Sequence, residues 1–173
     1  DFSWYDTGKV TFEGTSYEIA DYWSEEIPEF TGGFVFDMDF RLDDPEYISK
    51  FRTEYGYPMF FEAPEYAVTS NTMFQYAKNY LQAFENAIHS DDFYASFDGE
   101  DFHYSQLFDI DSLVQNWFLV EYSMNWDGMK NSTLMYKDLD GPLKMGPAWD
   151  YDWCWGNINM YNNTATYVIK GWH

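Results

Sequence analysis

A single cysteine, Cys154, stands in the chain, so no internal disulfide can form and zinc sites built on paired cysteines are excluded. Basic side chains are scarce as well: 9 Lys and Arg face 30 Asp and Glu, a formal net charge of -21. Such a surface repels phosphate backbones and anionic membranes, which argues against nucleic-acid binding. It favours metal cations and basic protein partners, or it serves solubility alone. Long apolar runs are missing too: the longest near the middle, Trp117 to Val120, falls far short of the roughly 20 residues of a membrane span. The N-terminal Asp1-Phe2-Ser3-Trp4 has neither a basic region nor an apolar stretch, so any targeting segment is expected to have been removed. Internal repeats and low-complexity tracts are absent. Apolar material is plentiful: hydrophobic residues make up 46% and aromatics 23% of 173 residues. That suits one domain, or a piece of one, with a sizeable core.

Alternation from Lys9 to Ala20 around Glu13-Gly14 predicts a hairpin. Gly32-Gly33 opens FVFDMDF, a strand with Phe34, Phe36, Met38 and Phe40 on a packed face and Val35, Asp37, Asp39 and Arg41 on the other. Leu42 to Glu65 reads as a connector with a short strand around Met59–Phe61, interrupted by Pro45, Pro58 and Pro64. After Ser70, a candidate N-cap, the recurrence of Met73, Ala77, Tyr80, Phe84 and Ala87 predicts a helix through Ile88. Ser90 to Ser105 reads as a polar turn or loop. A second helix starts near Asp109 or Asp111. Two further strands, Asn131–Tyr136 and Leu143–Met145, flank the turn-rich Lys137–Gly141.

In the second helix the stripe Ile110, Val114, Trp117 continues to Glu121, which places a carboxylate on an inward-facing row where it needs a partner. Glu121 either holds the helix end or supports the loop that follows, and is expected to be largely buried and hydrogen-bonded near Asp127. Four Asp-x-Asp pairs occur. Asp109/Asp111 fits helix capping and Asp138/Asp140 before Gly141 fits turn chemistry, whereas Asp37/Asp39 sits on a strand. Asp150/Asp152 lies among Trp149, Tyr151, Trp153 and Trp155, where carboxylates are costly unless they bind a cation or accept several hydrogen bonds. An EF-hand is excluded, because Cys154 and Trp155 stand where an oxygen ligand and glycine belong. Asp127, in NWDGMKN, follows the helix as either a turn aspartate or a loop carboxylate held by a rigid element, with Asn131 a neutral oxygen ligand nearby and Gly128 loosening the backbone.

Phe108 to Asn157, with NWD at Asn125–Asp127 and GPAWDYDWCWGN at Gly146–Asn157, resembles the most distinctive part of the CotH kinase family, named after a bacterial spore-coat protein. Upstream, GGFVFDMD resembles that family's glycine-led strand ending in an acidic residue, with Asp37 where glutamate is common, and Ala63–Glu65 resembles its proline-glutamate turn. The resemblance implies a partial α+β, atypical protein-kinase-like domain over 1–173: strands of a small lobe in 1–40, and a mainly helical larger lobe with the active-site motifs in 41–173. It implies ATP with Mg2+ or Mn2+ as cofactors and a protein substrate, basic or serine-rich, phosphorylated on serine or threonine. It assigns Asp150 to the metal and Asp127 to the active site. Asp152 and Asn131 are further metal candidates, and Asp37, Asn131, Asp152 and Asn157 are candidates for cofactor binding. No lysine before the glycine-led strand matches a phosphate-binding position, so activity of this stretch alone is not implied. The expected location is the bacterial surface, spore coat or another extracytoplasmic site. Two other functions remain open: a non-catalytic surface or scaffold module, and a carbohydrate-active enzyme using paired carboxylates near aromatic platforms. For either catalytic reading, the intervening hairpin should bring Asp127 and Asp150 together at one pocket.

Overall fold

The computed structural model describes residues 9–12, 15–18, 33–42, 49–63, 71–155 and 157. The chain divides into two compact units, residues 1–31 and 32–173. In the first, β1 (Lys9–Phe12) pairs antiparallel with β2 (Thr15–Glu18), the hairpin expected from the alternation.

The second unit is built on β3 (Phe34–Met38), the middle strand of a five-stranded antiparallel sheet. On one side it pairs with β5 (Pro58–Ala63), which carries β4 (Lys50–Arg52) at its outer edge. On the other it pairs with β8 (Thr133–Lys137), which carries β9 (Leu143–Met145). The strand around Met59 therefore forms as expected, and Lys50–Arg52, inside the expected connector, is a strand as well. Three residues give too short an alternation to recognise. Pro45, Pro64, Glu65 and Ser70 lie outside the described residues.

Helix α1 (Asn71–His89) covers the sheet face of Phe34 and Phe36. Met73, Ala77, Tyr80, Phe84 and Ala87 are all buried, as their spacing requires. Phe36 is fully buried, with Phe34, Phe51 and Phe61 rings 5.0 to 5.6 Å away. The Tyr80 hydroxyl, too deep to reach water, donates to the Leu107 carbonyl at 3.0 Å.

Ser90 to Ser105 is not a loop. It holds a hairpin, β6 (Tyr94–Phe97) with β7 (Glu100–His103), followed by the short α2 (Tyr104–Leu107). Asp98 and Gly99 at the tip both have positive φ, 53° and 84°, the geometry that makes Asp-Gly a hairpin signal. That dipeptide was the clue, and polarity concealed it. Helix α3 (Ile110–Ser123) begins at Asp109, whose carboxylate accepts the Ser112 N–H at 3.0 Å.

The orientation of α3 overturns the inward reading of its apolar stripe. Val120 and Ser123 are its buried residues, while Val114, Trp117, Phe118, Leu119 and Tyr122 are exposed. Glu121 is accordingly half-buried and not in the core. Counting apolar residues pointed to the wrong side, because the buried side of α3 is narrow and carries small or polar groups. The unit is α+β, and a mainly helical larger lobe is not shown among the described residues. No helix among them is long and apolar enough to cross a membrane.

Two truncations separate the core from the α3 surface. Phe36→Ala should cost about 3–5 kcal/mol in urea unfolding, while Phe118→Ala, 63% exposed, should stay within about 0.5 kcal/mol. Equal losses would mean that α3 faces the core after all.

Candidate active site

Helix α3 ends in a Schellman-type turn: Met124 takes a left-handed conformation, and the Asn125 N–H reaches back to the Val120 carbonyl at 3.0 Å. Asn125 then forms an Asx turn, its Oδ1 accepting the Asp127 N–H at 3.3 Å. The Asp127 carbonyl in turn accepts the Asn131 N–H at 2.9 Å. Gly128 does not loosen this loop. A Cβ there would stand 2.6 Å from both methyls of Val120, so glycine is needed for close approach to the helix.

Asp127 is buried, and its Oδ1 has no hydrogen-bond partner. Its Oδ2 accepts from the Asn131 amide at 3.4 Å. The same amide nitrogen donates to the Ser132 hydroxyl at 3.2 Å, and that hydroxyl donates to Asp150 Oδ2 at 3.2 Å. The relay Asp127–Asn131–Ser132–Asp150 thus joins the two carboxylates. Desolvation lifts Asp127 above the ordinary carboxylate range; the Asn131 hydrogen bond and Lys130 oppose the lift, while Asp150 and Asp152 add to it. Lys130 itself lies over the Trp126 ring, 3.9 Å from its centroid.

Asp150 and Asp152 are exposed, as are Trp149 and Trp155. The apolar setting inferred from their neighbours is therefore absent: these tryptophans point outward, and the burial cost falls on Asp127 instead. Asp150 has φ 55°, and Met124, Met129, Ser132 and Trp155 also have left-handed backbones. Such a concentration of disfavoured conformations marks loops whose shape is dictated from outside them. One outside tie is the Trp155 N–H, which donates to the Ser123 carbonyl at 2.8 Å.

The remaining candidates divide. Asn131 is buried, but its Oδ1 accepts the Phe40 N–H at 3.1 Å and its amide supports Asp127, so both ends of the side chain serve positioning. The amide of Asn157 donates to the Asp152 carbonyl at 2.6 Å and closes the turn. Asp152 faces solvent, its carboxyl lifted by desolvation and by the Asp150 carboxylate. Asp37, on β3, accepts the Thr133 backbone N–H, which places it beside the segment that carries Asn131 and Ser132. Burial, then Asp39 and Glu62, push Asp37 up to about 7, and its Oδ1 has no partner. Glu121 makes none of these contacts. Ser132, the Asx turn of Asn125 and the close approach at Gly128 escape sequence reasoning, because neither a bridging hydroxyl nor a helix–loop distance leaves a pattern in one chain.

A small cavity lies under the loops, lined by Asn125, Ser132, Tyr151 and Trp149 among others. Neither carboxylate lines it, so the two meet through the relay and not at this cavity. Among the described residues, no group of three or more His, Cys, Asp and Glu side chains could hold a metal ion. The donors present suit a divalent cation that takes few protein ligands: hard carboxylate oxygens, one of them buried and unpartnered, beside an exposed Asp150. Mg2+ characteristically binds one or two carboxylates, with phosphates and water completing its shell.

The family model described as CotH kinase protein matches residues 39–171. Asp127, Asn131, Asp150, Asp152 and Asn157 fall inside that match, whereas Asp37 lies just before it. No curated protein and no solved structure matches.

Two measurements test this geometry. Below pH 4 Asp37 is protonated whether the chain is folded or not; between about 4 and 7 the folded state keeps a proton that the unfolded chain has released. Stability should therefore fall as pH rises through that window and level off above it. Asp37→Asn should remove most of the slope and raise stability at pH 8 by about 1–3 kcal/mol; an unchanged slope in urea titrations would place the effect elsewhere. Gly128→Ala should cost about 1–3 kcal/mol, the usual penalty of overpacking, and Val120→Ala in the same chain should restore most of it.

Proposed function

The chain belongs to the CotH kinase family, and on that footing we propose that it transfers the γ-phosphoryl group of ATP to a serine or threonine hydroxyl of a protein. The observation that carries this reading is the relay joining Asp127 to Asp150 across two separate loops. Phosphoryl transfer is catalysed chiefly by positioning and electrostatics. An exposed carboxylate for the cation and a buried one for the acceptor are the parts it needs.

Asp150 would hold Mg2+ or Mn2+, which neutralises the triphosphate oxygens, and Asp152 stands close enough in charge to contribute. With a net charge of -21, the protein repels a free polyphosphate, so cation loading is a precondition of nucleotide binding. Asp127 orients the acceptor hydroxyl and takes its proton as that oxygen bonds to the γ-phosphorus and the bond to the departing ADP breaks. Its raised proton affinity suits this task, because a desolvated carboxylate accepts a proton more readily than an exposed one. Asn131 keeps Asp127 turned toward the site. The same acidity favours a basic acceptor, the resemblance favours a serine-rich one, and the family's name favours a spore-coat or other extracytoplasmic location. The exposed Trp126, Trp149 and Trp155 support a second reading, carbohydrate binding beside paired carboxylates.

In the full-length protein, with metal in excess over ATP, Asp150→Asn and Asp127→Asn should each lower phosphoryl transfer to a basic acceptor about 100-fold or more, without lowering the melting temperature. Undiminished transfer by Asp150→Asn removes it as the metal ligand. A wild-type protein that neither transfers phosphate nor shows an ATP-dependent thermal shift with Mg2+ or Mn2+ favours the scaffold alternative. A thermal shift with oligosaccharide instead would favour the carbohydrate reading.

A further inference from the structure

We propose that the groove between α1 and the β6–β7 hairpin is a binding site for a neutral, hydroxyl-rich ligand, a short oligosaccharide. Its volume is about 420 Å³, within the range of pockets that take small molecules. Asn79, Gln82 and Asn86 form one wall, spaced i, i+3 and i+7 on a single side of α1. From Asn79 to Asn86 that wall runs about 10 Å along the helix axis. Ser96 and Asp98 of the hairpin form the other. Neither Asp127 nor Asp150 lines the groove, so the proposal does not rest on phosphoryl transfer.

The helix wall is fixed from the buried side. The Glu54 N–H donates to Gln82 Oε1 at 2.9 Å, so Gln82 turns its nitrogen the other way. That nitrogen donates to Oε2 of the buried Glu85 at 3.3 Å and to Asn86 Oδ1 at 3.0 Å. The order of polarity is forced: Asn86 must answer a donor with its oxygen, which leaves its amide nitrogen as a donor with no acceptor among the described residues. Between the walls, Phe97 is held by the rings of Tyr76, Tyr80 and Phe102, with centroids 5.4, 5.1 and 6.4 Å away. Groups ordered in advance lose less entropy when a ligand arrives.

The lining selects the ligand. Asn86 offers a donor on one wall and the Asp98 carboxylate an acceptor on the other, and a hydroxyl group accepts from the first and donates to the second. No Lys or Arg lines the groove and the chain carries a net charge of -21, so phosphate and other anions are disfavoured. A simple cation would meet a single exposed carboxylate, Asp98, fewer hard ligands than Ca2+ takes. Peptides are commonly captured by apolar grooves or cationic clusters, whereas this lining is mostly amide, hydroxyl and carboxylate. Tyr76 and Phe97 add apolar surface for the carbon face of a sugar ring. Binding without cleavage follows, because glycoside hydrolysis needs two carboxyl groups and Glu85 is buried against Gln82.

Titrating the full-length protein with cellotetraose and with maltotetraose, followed by NMR, tests the site. At millimolar concentration one or both should shift the side-chain amide signals of Asn79 and Asn86. Asn86→Ala and Asp98→Asn should each weaken that binding about tenfold. Both positions are exposed, and asparagine tolerates the left-handed backbone of Asp98, so the melting temperature should hold. No shift with either sugar, shifts confined to the Trp149 and Trp155 indoles, or binding that both substitutions leave unchanged overturns the proposal. Equal perturbation of the same amides by tetraglycine would assign the groove to peptide and overturn it too.

Discussion

Burying the carboxylate of Asp127 is the demand that organises the surrounding structure. A buried charge needs compensation, and here it has one amide on Oδ2 and nothing on Oδ1. The opposing influences are a short hydrogen-bonded relay and the charge of Lys130, and neither suffices to bring Asp127 back to ordinary carboxylate behaviour. A group left partly uncompensated must be held in place by packing. That role falls to α3 on one side and to the start of β8 on the other.

The holding is done by backbone shape more than by side-chain bulk. Gly128 allows the loop to lie against Val120, and left-handed residues at Met124, Met129 and Ser132 fold it tightly before β8 begins. None of those three is glycine or asparagine, so each conformation is disfavoured in isolation. They persist because both ends of the loop are anchored, by the helix at Val120 and by the sheet at Thr133, whose partner across β3 is Met38. The chain two residues past β3 supplies the Phe40 N–H that orients Asn131. The fold thus reaches the site through strand β3, whose Phe34 and Phe36 lie in the core.

Much of this was legible in the sequence where a repeat period exists. Helix α1, the β1–β2 and β8–β9 hairpins and the Asp109 cap follow from spacing and turn chemistry. The hairpin that returns the chain links Asp127 to Asp150 through Asn131 and Ser132, and not at one pocket as the resemblance and the hairpin imply. Periodicity failed at α3, where Val114, Trp117 and Phe118 have the composition of a core face and the exposure of a surface one. Apolar spacing reveals that a face exists and not whether this unit covers it. The expected apolar setting of Asp150 fails for a related reason: tryptophans adjacent in sequence to a carboxylate need not pack on it. Relay members such as Ser132 become visible only when two loops are placed side by side.

Two groups of acids flank the segment Asn131–Thr133, and their electrostatics separate their uses. Asp37, Asp39 and Glu62 form the first, in which the Arg41 guanidinium pairs directly with Asp39 and Asp37 holds a proton up to about pH 7. Its charge is therefore already reduced from within the fold, at the cost of one strained carboxyl. Asp127, Asp150 and Asp152 form the second, where Lys130 is the cation whose charge acts on Asp127, from a position over the Trp126 ring. No arginine pairs with these carboxylates among the described residues, and Asp150 is open to solvent. A cation from solution gains more where negative charge has no internal partner. On the proposed function, the second group is the one whose negative charge is left open to a cation from solution, while the first is compensated within the fold.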